Sequence, residues 1–362
     1  MLPFVKINFN NGAIGGNEPM EDGVTMMVLS GYKGADMDLM NIEDYRSKLG
    51  KGESERAEIV AFYNEVGGNS RLIVTGCAIS DQALKDQIAK YNGEVRIIAV
   101  NGVKDVATLK VLQNVAMWAT ETLFAPCMFL VQATSDLIEG TANFRELELS
   151  RIAVVDNLAD GDGTPFLYTV AGMMAKIAVH KSPASGENGA VYATAIYHGS
   201  GEGRTIVNNI YAEPINNKGI ITARNFVGRA GFFIADDAMC VPASDDYGMI
   251  QRRRVIDKAY RTAYKALLPY VCNEIPVTSD GKIPPVTCAE IQNAVERAII
   301  LNMTSEGNLG TDPGNDSDYG VSCYVDPSQD VVGTSSLNVR LSVRPYGYAK
   351  YITVDLGFGV GE

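Results

Sequence analysis

One pair of carboxylates in this sequence has a spacing that phosphoryl-transfer chemistry can use. Asp160 and Asp162 stand two residues apart, and Thr164 follows them. In such an arrangement one carboxylate attacks phosphorus and the other acts as a general acid, so both must be held firmly. The preceding predicted strand ends near Asp156, which places the pair on a loop. We therefore interpret this segment as an acidic, glycine-rich turn.

A second acidic segment has the composition of a calcium-binding loop. An EF-hand loop that began at Asp316 would have Gly320 at position five and Pro327 at position twelve. An acidic ligand belongs at position five and a glutamate at position twelve. The segment is predicted to be a solvated loop, and we predict no metal site.

Glycine-rich segments and histidines also fail to match a known catalytic pattern. Residues 199–204 lack the Gly-Lys-Ser/Thr ending of a phosphate-binding loop and the GxGxxG spacing of a dinucleotide site. His180 ends a predicted helix and His198 ends a predicted strand, where polar terminal residues are common. We predict no catalytic residue, no cofactor and no enzymatic activity.

Composition narrows the class of protein further. The 362 residues are 46% hydrophobic, which is enough for about two domains. The formal net charge of −12 argues against a nucleic-acid partner, which requires a basic face. Glu121 and Pro126 interrupt the most apolar stretch, residues 111–133, so no membrane insertion is expected. With no signal peptide at the start, synthesis in the cytosol is expected. Six scattered cysteines, none within four residues of another, are typical of buried thiols.

The chain begins with a strand pattern that has no nearby partner. Residues 3–9 alternate between two faces, and residues 10–21 form a glycine-containing connector. A strand without a hairpin partner must pair with a distant segment or with another molecule. The apolar positions of this strand are Phe4, Val5, Ile7 and Phe9.

Residues 24–156 alternate short apolar runs with amphipathic helices, which predicts an open, largely parallel sheet covered by helices. The predicted strands are Val24–Ser30, Arg71–Cys77, Val95–Val100, Cys127–Gln132 and Ile152–Asp156, and the predicted helices span 41–49, 54–66, 81–91, 104–122 and 143–150. The remaining predicted elements are helices over 166–179, 247–268 and 287–302, and strands over 190–197, 204–212, 219–223, 319–326, 334–345 and 350–358.

The helix over 247–268 has a basic stripe along one side. Its members recur at helical spacing, opposite an apolar face. The pattern fits an ordinary solvated helix face, and it also fits a docking face for an acidic partner. The basic stripe consists of Arg254, Lys258, Arg261 and Lys265.

Several segments of the C-terminal half resemble the core of contractile phage tail sheath proteins. The closing pair, Leu337–Pro345 and Lys350–Phe358, is similar to the last strands of that family. The similarity covers about 165–358. The segments that carry it are NKGIITAR at 217–224, FVGRAGF at 226–232, RRRVIDKAYR at 252–261 and AGMMAKIAVHKSP at 171–183.

This resemblance implies a structural subunit that polymerises in stacked rings around a tail tube and contracts to drive the tube through a target envelope. It implies self-association, together with tail tube, baseplate and terminator proteins as partners. The expected location is a virion tail sheath or an injection-system particle, after synthesis in the bacterial cytoplasm. Ring symmetry, contraction state and the choice between a phage and a phage-tail-like particle stay open.

The resemblance also assigns roles to residues. Terminal arms of such subunits add strands to the sheets of neighbours, and the basic stripe is predicted to face the tube. Which terminal arm is exchanged stays open. The predicted inter-subunit strand residues are Phe4, Val5, Ile7 and Phe9 at one end and Tyr351, Ile352, Val354 and Leu356 at the other.

We predict an α/β protein of three parts: an N-terminal arm and linker over 1–22, an α/β domain over 23–160, and a sheath-like core over 161–362 that closes with β-strands. The role of residues 24–156 stays open. The alternative is an α/β enzyme or a protein that binds a nucleotide or small molecule at the carboxyl ends of its strands. That alternative requires a pocket in which Asp156, Asp160 and Asp162 converge.

Overall fold

The computed structural model describes residues 20–356, except 30, 51, 161–162 and 199–204. The chain divides into two compact units, Met1–Arg261 and Thr262–Glu362. This division falls inside one long helix, Ile250–Leu267. The predicted N-terminal strand over 3–9 lies outside the described residues.

The main sheet of the first unit contains the strands β1 (Thr25–Val28), β2 (Met37–Leu39), β3 (Leu72–Thr75), β4 (Ile97–Val103), β5 (Met128–Ala133) and β6 (Ile152–Val155). Their order is β2-β3-β1-β4-β5-β6. All adjacent pairs are parallel except β2 with β3. The predicted largely parallel sheet is confirmed, and sequence analysis missed the short edge strand β2.

Helices cover both faces of this sheet, which is why its strands are mostly apolar. Successive residues of β1 point to opposite faces, so Met26 and Met27 belong to two different hydrophobic cores. Both side chains are fully buried. The helices are α1 (Ile42–Lys48), α2 (Ala57–Val66), α3 (Asp81–Lys90), α4 (Val106–Thr122), α5 (Ser135–Gly140) and α6 (Leu167–Lys176).

Helix α6 joins the segment after residue 160 to the same core. The nearly all-apolar pattern predicted a buried helix, and every residue from Leu167 to Ala175 is buried. Gly172 allows close approach to α2, because a Cβ there would lie 2.6 Å from the Phe62 carbonyl oxygen. The first compact unit continues past residue 160 to Arg261. The predicted division into three parts stays a prediction.

Two smaller sheets complete the strands of the first unit. One contains β7 (Leu158–Ala159), β8 (Thr164–Pro165), β9 (Ile196–His198) and β10 (Thr205–Ile206), and the other contains β11 (Ala223–Arg224) and β12 (Phe233–Ile234).

Two elements predicted from the first unit's sequence are corrected. The end of the predicted strand over 204–212 is instead the start of helix α7 (Asn209–Asn217), because the Asn208 side chain accepts hydrogen bonds from two N–H groups of its first turn. The predicted helix over 143–150 is a single 3-10 turn, Phe144–Leu147.

The second unit begins at Thr262, inside the long helix α8 (Ile250–Leu267). Its small core contains Ile283, Cys288, Ile291 and Val325. The elements are helix α9 (Pro285–Ile299), which continues as a π-helical turn (Ile300–Thr304), then β13 (Val321–Val325), α10 (Val331–Thr334) and β14 (Val339–Val343). The strands β13 and β14 pair antiparallel.

The third predicted closing strand, over 350–358, does not form within the described residues. The segment 351–356 has no regular secondary structure and is exposed. Alternation predicted a strand here, but a strand requires a partner for its backbone, and this segment has none in the described chain.

Candidate functional site

The acidic residues near the end of β6 do not converge on a pocket. Asp156 pairs with His198, whose Nδ1 lies 2.8 Å from the carboxylate. Asp160 accepts hydrogen bonds from the backbone N–H and the hydroxyl of Thr194, at 2.8 and 2.7 Å. Asp162 lies outside the described residues. The two described carboxylates therefore hold neighbouring strands and loops together, as the interpretation of an acidic turn predicts.

The carboxyl ends of β1 and β3 are covered by the chain itself. In a parallel sheet with this type of strand order, a ligand crevice is expected beside the central strand. Gly76 directly follows β3, and a Cβ at this position would clash with the carbonyl oxygen of Tyr32. Asp36, which follows Tyr32 by four residues in the chain, accepts a hydrogen bond from Lys90. The segment around Tyr32 thus lies where the alternative prediction would place a ligand.

Three members of the basic stripe on α8 contact oxygen atoms of the first unit. Lys258 lies 2.9 Å from one carboxylate oxygen of Asp22, and Arg261 donates to the other oxygen. Arg254 is 5% exposed and donates to the carbonyl oxygen of Ile177 at 3.3 Å.

The expectation of an open basic stripe is therefore wrong for three of its four members. Arg254, Lys258 and Arg261 are directed at an acidic residue of the same unit because burial of a cation requires a nearby counter-charge. Lys265, the fourth member, is exposed and belongs to the second unit. The tube-facing role of the stripe stays a prediction.

The described residues offer neither a metal site nor a membrane-spanning helix. Within the described ranges, no cluster of three or more His, Cys, Asp or Glu side chains has an arrangement that could hold a metal ion. None of the described helices combines the length and apolarity that crossing a bilayer would require. The six cysteines are all unpaired thiols, and Cys272 is the exposed one.

One edge of the two-stranded sheet in the second unit is closed by helix α9. Glu296 accepts a hydrogen bond from the Cys323 N–H at 2.7 Å, and Gln292 accepts one from the Val325 N–H at 2.9 Å. These two side chains stand one turn apart on α9, so they match alternate residues of β13. They satisfy the outward N–H groups of Cys323 and Val325 and occupy the side of β13 on which another strand would pair.

The other edge of this sheet, along β14, is open. Antiparallel residues directly opposite each other direct their N–H groups either both inward or both outward. Cys323 and Val325 direct theirs outward, and they stand opposite Leu341 and Val339. The N–H groups of Leu341 and Val339 therefore also point outward, and neither has a partner in the described chain. Such an edge is a template for a further strand.

The predicted C-terminal strand residues are exposed in the same unit. Tyr351 is 92% exposed and Leu356 is 95% exposed, with Ile352 and Val354 at 80% and 75%. Neighbouring exposed apolar side chains of this size are typical of interaction surfaces. The N-terminal residues Phe4, Val5, Ile7 and Phe9 lie outside the described residues, so their role stays a prediction.

An apolar groove of 680 Å³ adjoins the start of β14. It is lined by the end of α8, the loop after it, helix α10 and the first residue of β14. Val271 and Val332 on its rim are 66% and 65% exposed. The second unit therefore combines an open strand edge with exposed apolar surface beside it.

Two family domains match nearly the whole sequence. The N-terminal domain of DUF2586 matches residues 2–238, and the C-terminal domain of DUF2586 matches residues 246–360. The chain belongs to the DUF2586 family. No curated protein matches this DUF2586 sequence.

Two solved structures have a fold similar to that of this DUF2586 protein. A chain of the anti-feeding prophage (AFP) baseplate, determined by cryo-EM, is 18% identical, with a TM-score of 0.66 over 99% of both chains. The crystal structure of a sheath tail protein from Desulfitobacterium hafniense is 12% identical, with a TM-score of 0.55 over 95% of this chain and 100% of that chain. At these identities the likeness establishes a shared fold, so the resemblance to tail sheath proteins is confirmed at the level of fold.

Sequence analysis of this DUF2586 protein missed the residues that distinguish the two sheet edges. Gln292 and Glu296 are spaced by four residues on a predicted helix that precedes an alternating strand. Polar side chains at that spacing can match two outward N–H groups of a strand, and this was the available signal. Asp22 was also missed, because a single acidic residue next to a predicted linker has no spacing to examine.

Proposed function

We propose that this DUF2586 protein is a structural subunit of a contractile tail sheath. Subunits polymerise in stacked rings around a tail tube, and the assembly contracts to drive the tube through a target envelope. The observation that carries this proposal is the asymmetry of the sheet in the second unit. Side chains of α9 close the β13 edge, whereas β14 presents two unpartnered N–H groups. The fold shared with a sheath tail protein supports the same role.

The joining element in this proposal is a terminal strand from another copy of the chain. The segment 351–356 carries exposed apolar side chains and no backbone partners in the described chain, so it can serve as a donated strand. The sequence pattern of residues 3–9 makes the N-terminus a second candidate donor. Main-chain hydrogen bonds along β14 would supply the affinity, and alternate side chains would supply the specificity.

The proposed location and partners follow from the same role. The subunit is placed in a virion tail sheath or in an injection-system particle, with the tail tube, baseplate and terminator proteins as neighbours. Lys265 is the exposed member of the basic stripe and is the proposed tube-facing residue of α8. We propose no catalytic role, because Asp156 and Asp160 are engaged in contacts within the first unit.

The substitution Leu341→Pro tests the proposal at the open edge. Proline removes the outward N–H and leaves the hydrogen bonds between β13 and β14, since this position faces away from β13. We expect the variant to retain the circular dichroism spectrum of the wild type and to form no tubes in electron micrographs of concentrated protein. Leu341→Val is the matched control, because it keeps the N–H and should assemble.

Two outcomes would contradict the proposal. One is wild-type protein that stays monomeric at all concentrations, with no rings or tubes. The other is a Leu341→Pro variant that assembles as well as Leu341→Val, which would exclude strand addition at β14 as the joining contact.

A further inference from the structure

Three residues shortly before β1 each contact a different part of the first unit. These residues, Glu21-Asp22-Gly23, form a 3-10 turn that we call the clamp. Glu21 pairs with Arg96 at 3.4 Å, next to the start of β4. Gly23 lies directly on α6, because a Cβ at this position would clash with the carbonyl oxygen of Ala175. The turn is therefore fixed on two sides before the contribution of Asp22 is considered.

Asp22 connects the clamp to helix α8 through three cations. Lys258 lies 2.9 Å from one carboxylate oxygen, and Arg261 donates to the other. Arg254 donates to the Asp22 carbonyl oxygen at 3.4 Å. The three cations are spaced by four and three residues, so they lie on one side of the helix. All three therefore meet a single acidic residue, Asp22.

Burial makes this cluster stronger than a surface ion pair. The side chains of Asp22, Lys258 and Arg261 are 14%, 15% and 11% exposed. Burial alone raises the pKa of Asp22, but Arg261, Lys258 and Arg254 outweigh it and hold that pKa below its ordinary value. Removal of the carboxylate would leave buried cations short of negative charge, which costs far more than loss of an exposed pair.

The clamp lies just before β1 in the chain, so it can shield β1 from a force applied to the N-terminus. β1 begins at Thr25, two residues after Gly23, and it is hydrogen-bonded to both β3 and β4 near the middle of the sheet. A pull on the N-terminus that reached β1 would act directly on the central strand of the main sheet. Contacts at residues 21–23 would transmit this force to α6 and α8 before it reached β1.

We propose that the clamp anchors the N-terminal segment, residues 1–20, to helix α8 and takes up the tension of inter-subunit strand links before it reaches β1. This inference rests on the proposed function, in which the strand over 3–9 joins a neighbouring subunit. In this proposal Arg254, Lys258 and Arg261 hold the clamp in place within the subunit.

The substitution Asp22→Asn tests the anchor in the full-length protein. It removes the charge and keeps the size of the side chain. We expect hydrogen–deuterium exchange of the Gly23 amide, which donates to the Met20 carbonyl oxygen, to rise by about tenfold or more. Assembled tubes of the variant should dissociate at a lower temperature than wild-type tubes. Asp81→Asn is the matched control, because Asp81 pairs with Lys85 on an exposed helix face.

A second variant covers the case in which Asp22→Asn fails to fold. Lys258→Met with Arg261→Met keeps Asp22 beside Arg254 and removes the other two cations, so less uncompensated charge is left. The same rise in exchange at Gly23 is expected. Unchanged exchange in a folded variant would overturn the anchor.

The proposed function and the anchor fail in distinguishable ways. If wild-type protein forms no tubes, the proposed function fails, and the exchange at Gly23 still tests the anchor. If tubes of the wild type and of Asp22→Asn are equally stable although hydrogen exchange at Gly23 has risen, the clamp does not take up tension between subunits. The local anchor of the N-terminal segment then still stands.

Discussion

The two units of this protein bury their strands in different ways. In the first unit, β1, β3, β5 and β6 are buried at every position, because helices cover both faces of the sheet. In the second unit, β14 alternates between half-buried and exposed residues, and the segment after it is exposed. A sheet of two strands is marginal when alone. The main sheet of the first unit is thus enclosed by helices of the same chain, whereas the described part of the second unit exposes both strand backbone and apolar side chains.

The largest effect of a single substitution is expected in the main sheet. Phe129 in β5 is fully buried, and Phe129→Ala should lower the free energy of unfolding of the first unit by ~3–5 kcal/mol. The fluorescence of Trp118, the only tryptophan, reports denaturant unfolding of that unit. Phe129→Leu is the control and should lose much less. A loss below ~1 kcal/mol for the alanine variant would mean that the two units do not differ as described.

A smaller effect is expected where α9 closes the β13 edge. Replacement of Gln292 and Glu296 by alanine removes two hydrogen bonds, at about 1 kcal/mol each. The double variant also gains a second open edge, so we expect irregular lateral association, measured as increased light scattering. Glu290→Ala, at an exposed position of the same helix, is the control. Scattering equal to that of the control would show that α9 does not protect this edge.

Sequence patterns predicted the first unit better than the second, for a physical reason. The apolar runs near β1, β4 and β5 and the all-apolar pattern of α6 directly encode burial on both faces of a sheet. The short edge strand β2 was missed because three residues carry too little periodicity. The start of α7 was read as a strand because the capping residue Asn208 looks like a turn residue in isolation.

In the second unit an alternating pattern predicted a strand that has no partner strand among the described residues. Residues 351–356 alternate as a strand would, yet they have no backbone partner in the described chain. Periodicity reports which side chains share a face and does not report which backbone pairs with them. The basic stripe failed in a related way: helical spacing placed Arg254, Lys258 and Arg261 on one face, but it could not reveal that Asp22 lies opposite them.

Substitutions in the exposed segment should separate assembly from folding. Ile352→Lys with Val354→Lys places two charges on side chains that are 80% and 75% exposed. The free energy of unfolding should change by less than ~0.5 kcal/mol, because no core contact is lost. Tube formation in electron micrographs should nevertheless fall sharply. Ile352→Val with Val354→Ile is the control. A large loss of stability in the lysine variant would mean that this segment belongs to the fold of its own chain.

The smallest expected effect is a pH dependence confined to the first unit. Both histidines of the chain precede residue 262, so the second unit contains none. The hydrogen bond from His198 to Asp156 raises the pKa of His198 above its ordinary value of 6.5, burial opposes this, and Glu139 adds to the increase. The protonated form is thus favoured in the folded state, and its stabilisation is present below pH 6.5 and is lost as the pH rises through the folded pKa.

The pH dependence should be weak because the His198 side chain is 33% exposed and solvent screens the pair. We expect less than ~1 kcal/mol between pH 6 and pH 8, measured by Trp118 fluorescence during denaturant unfolding. His198→Gln and Asp156→Asn should each remove the same slope, since each leaves the other residue without its partner. Hydrogen exchange in β13 and β14, corrected for the intrinsic pH dependence, should show no such slope. A slope in the second unit, or one that survives His198→Gln, would place the titrating group elsewhere and weaken the distinction between the two units.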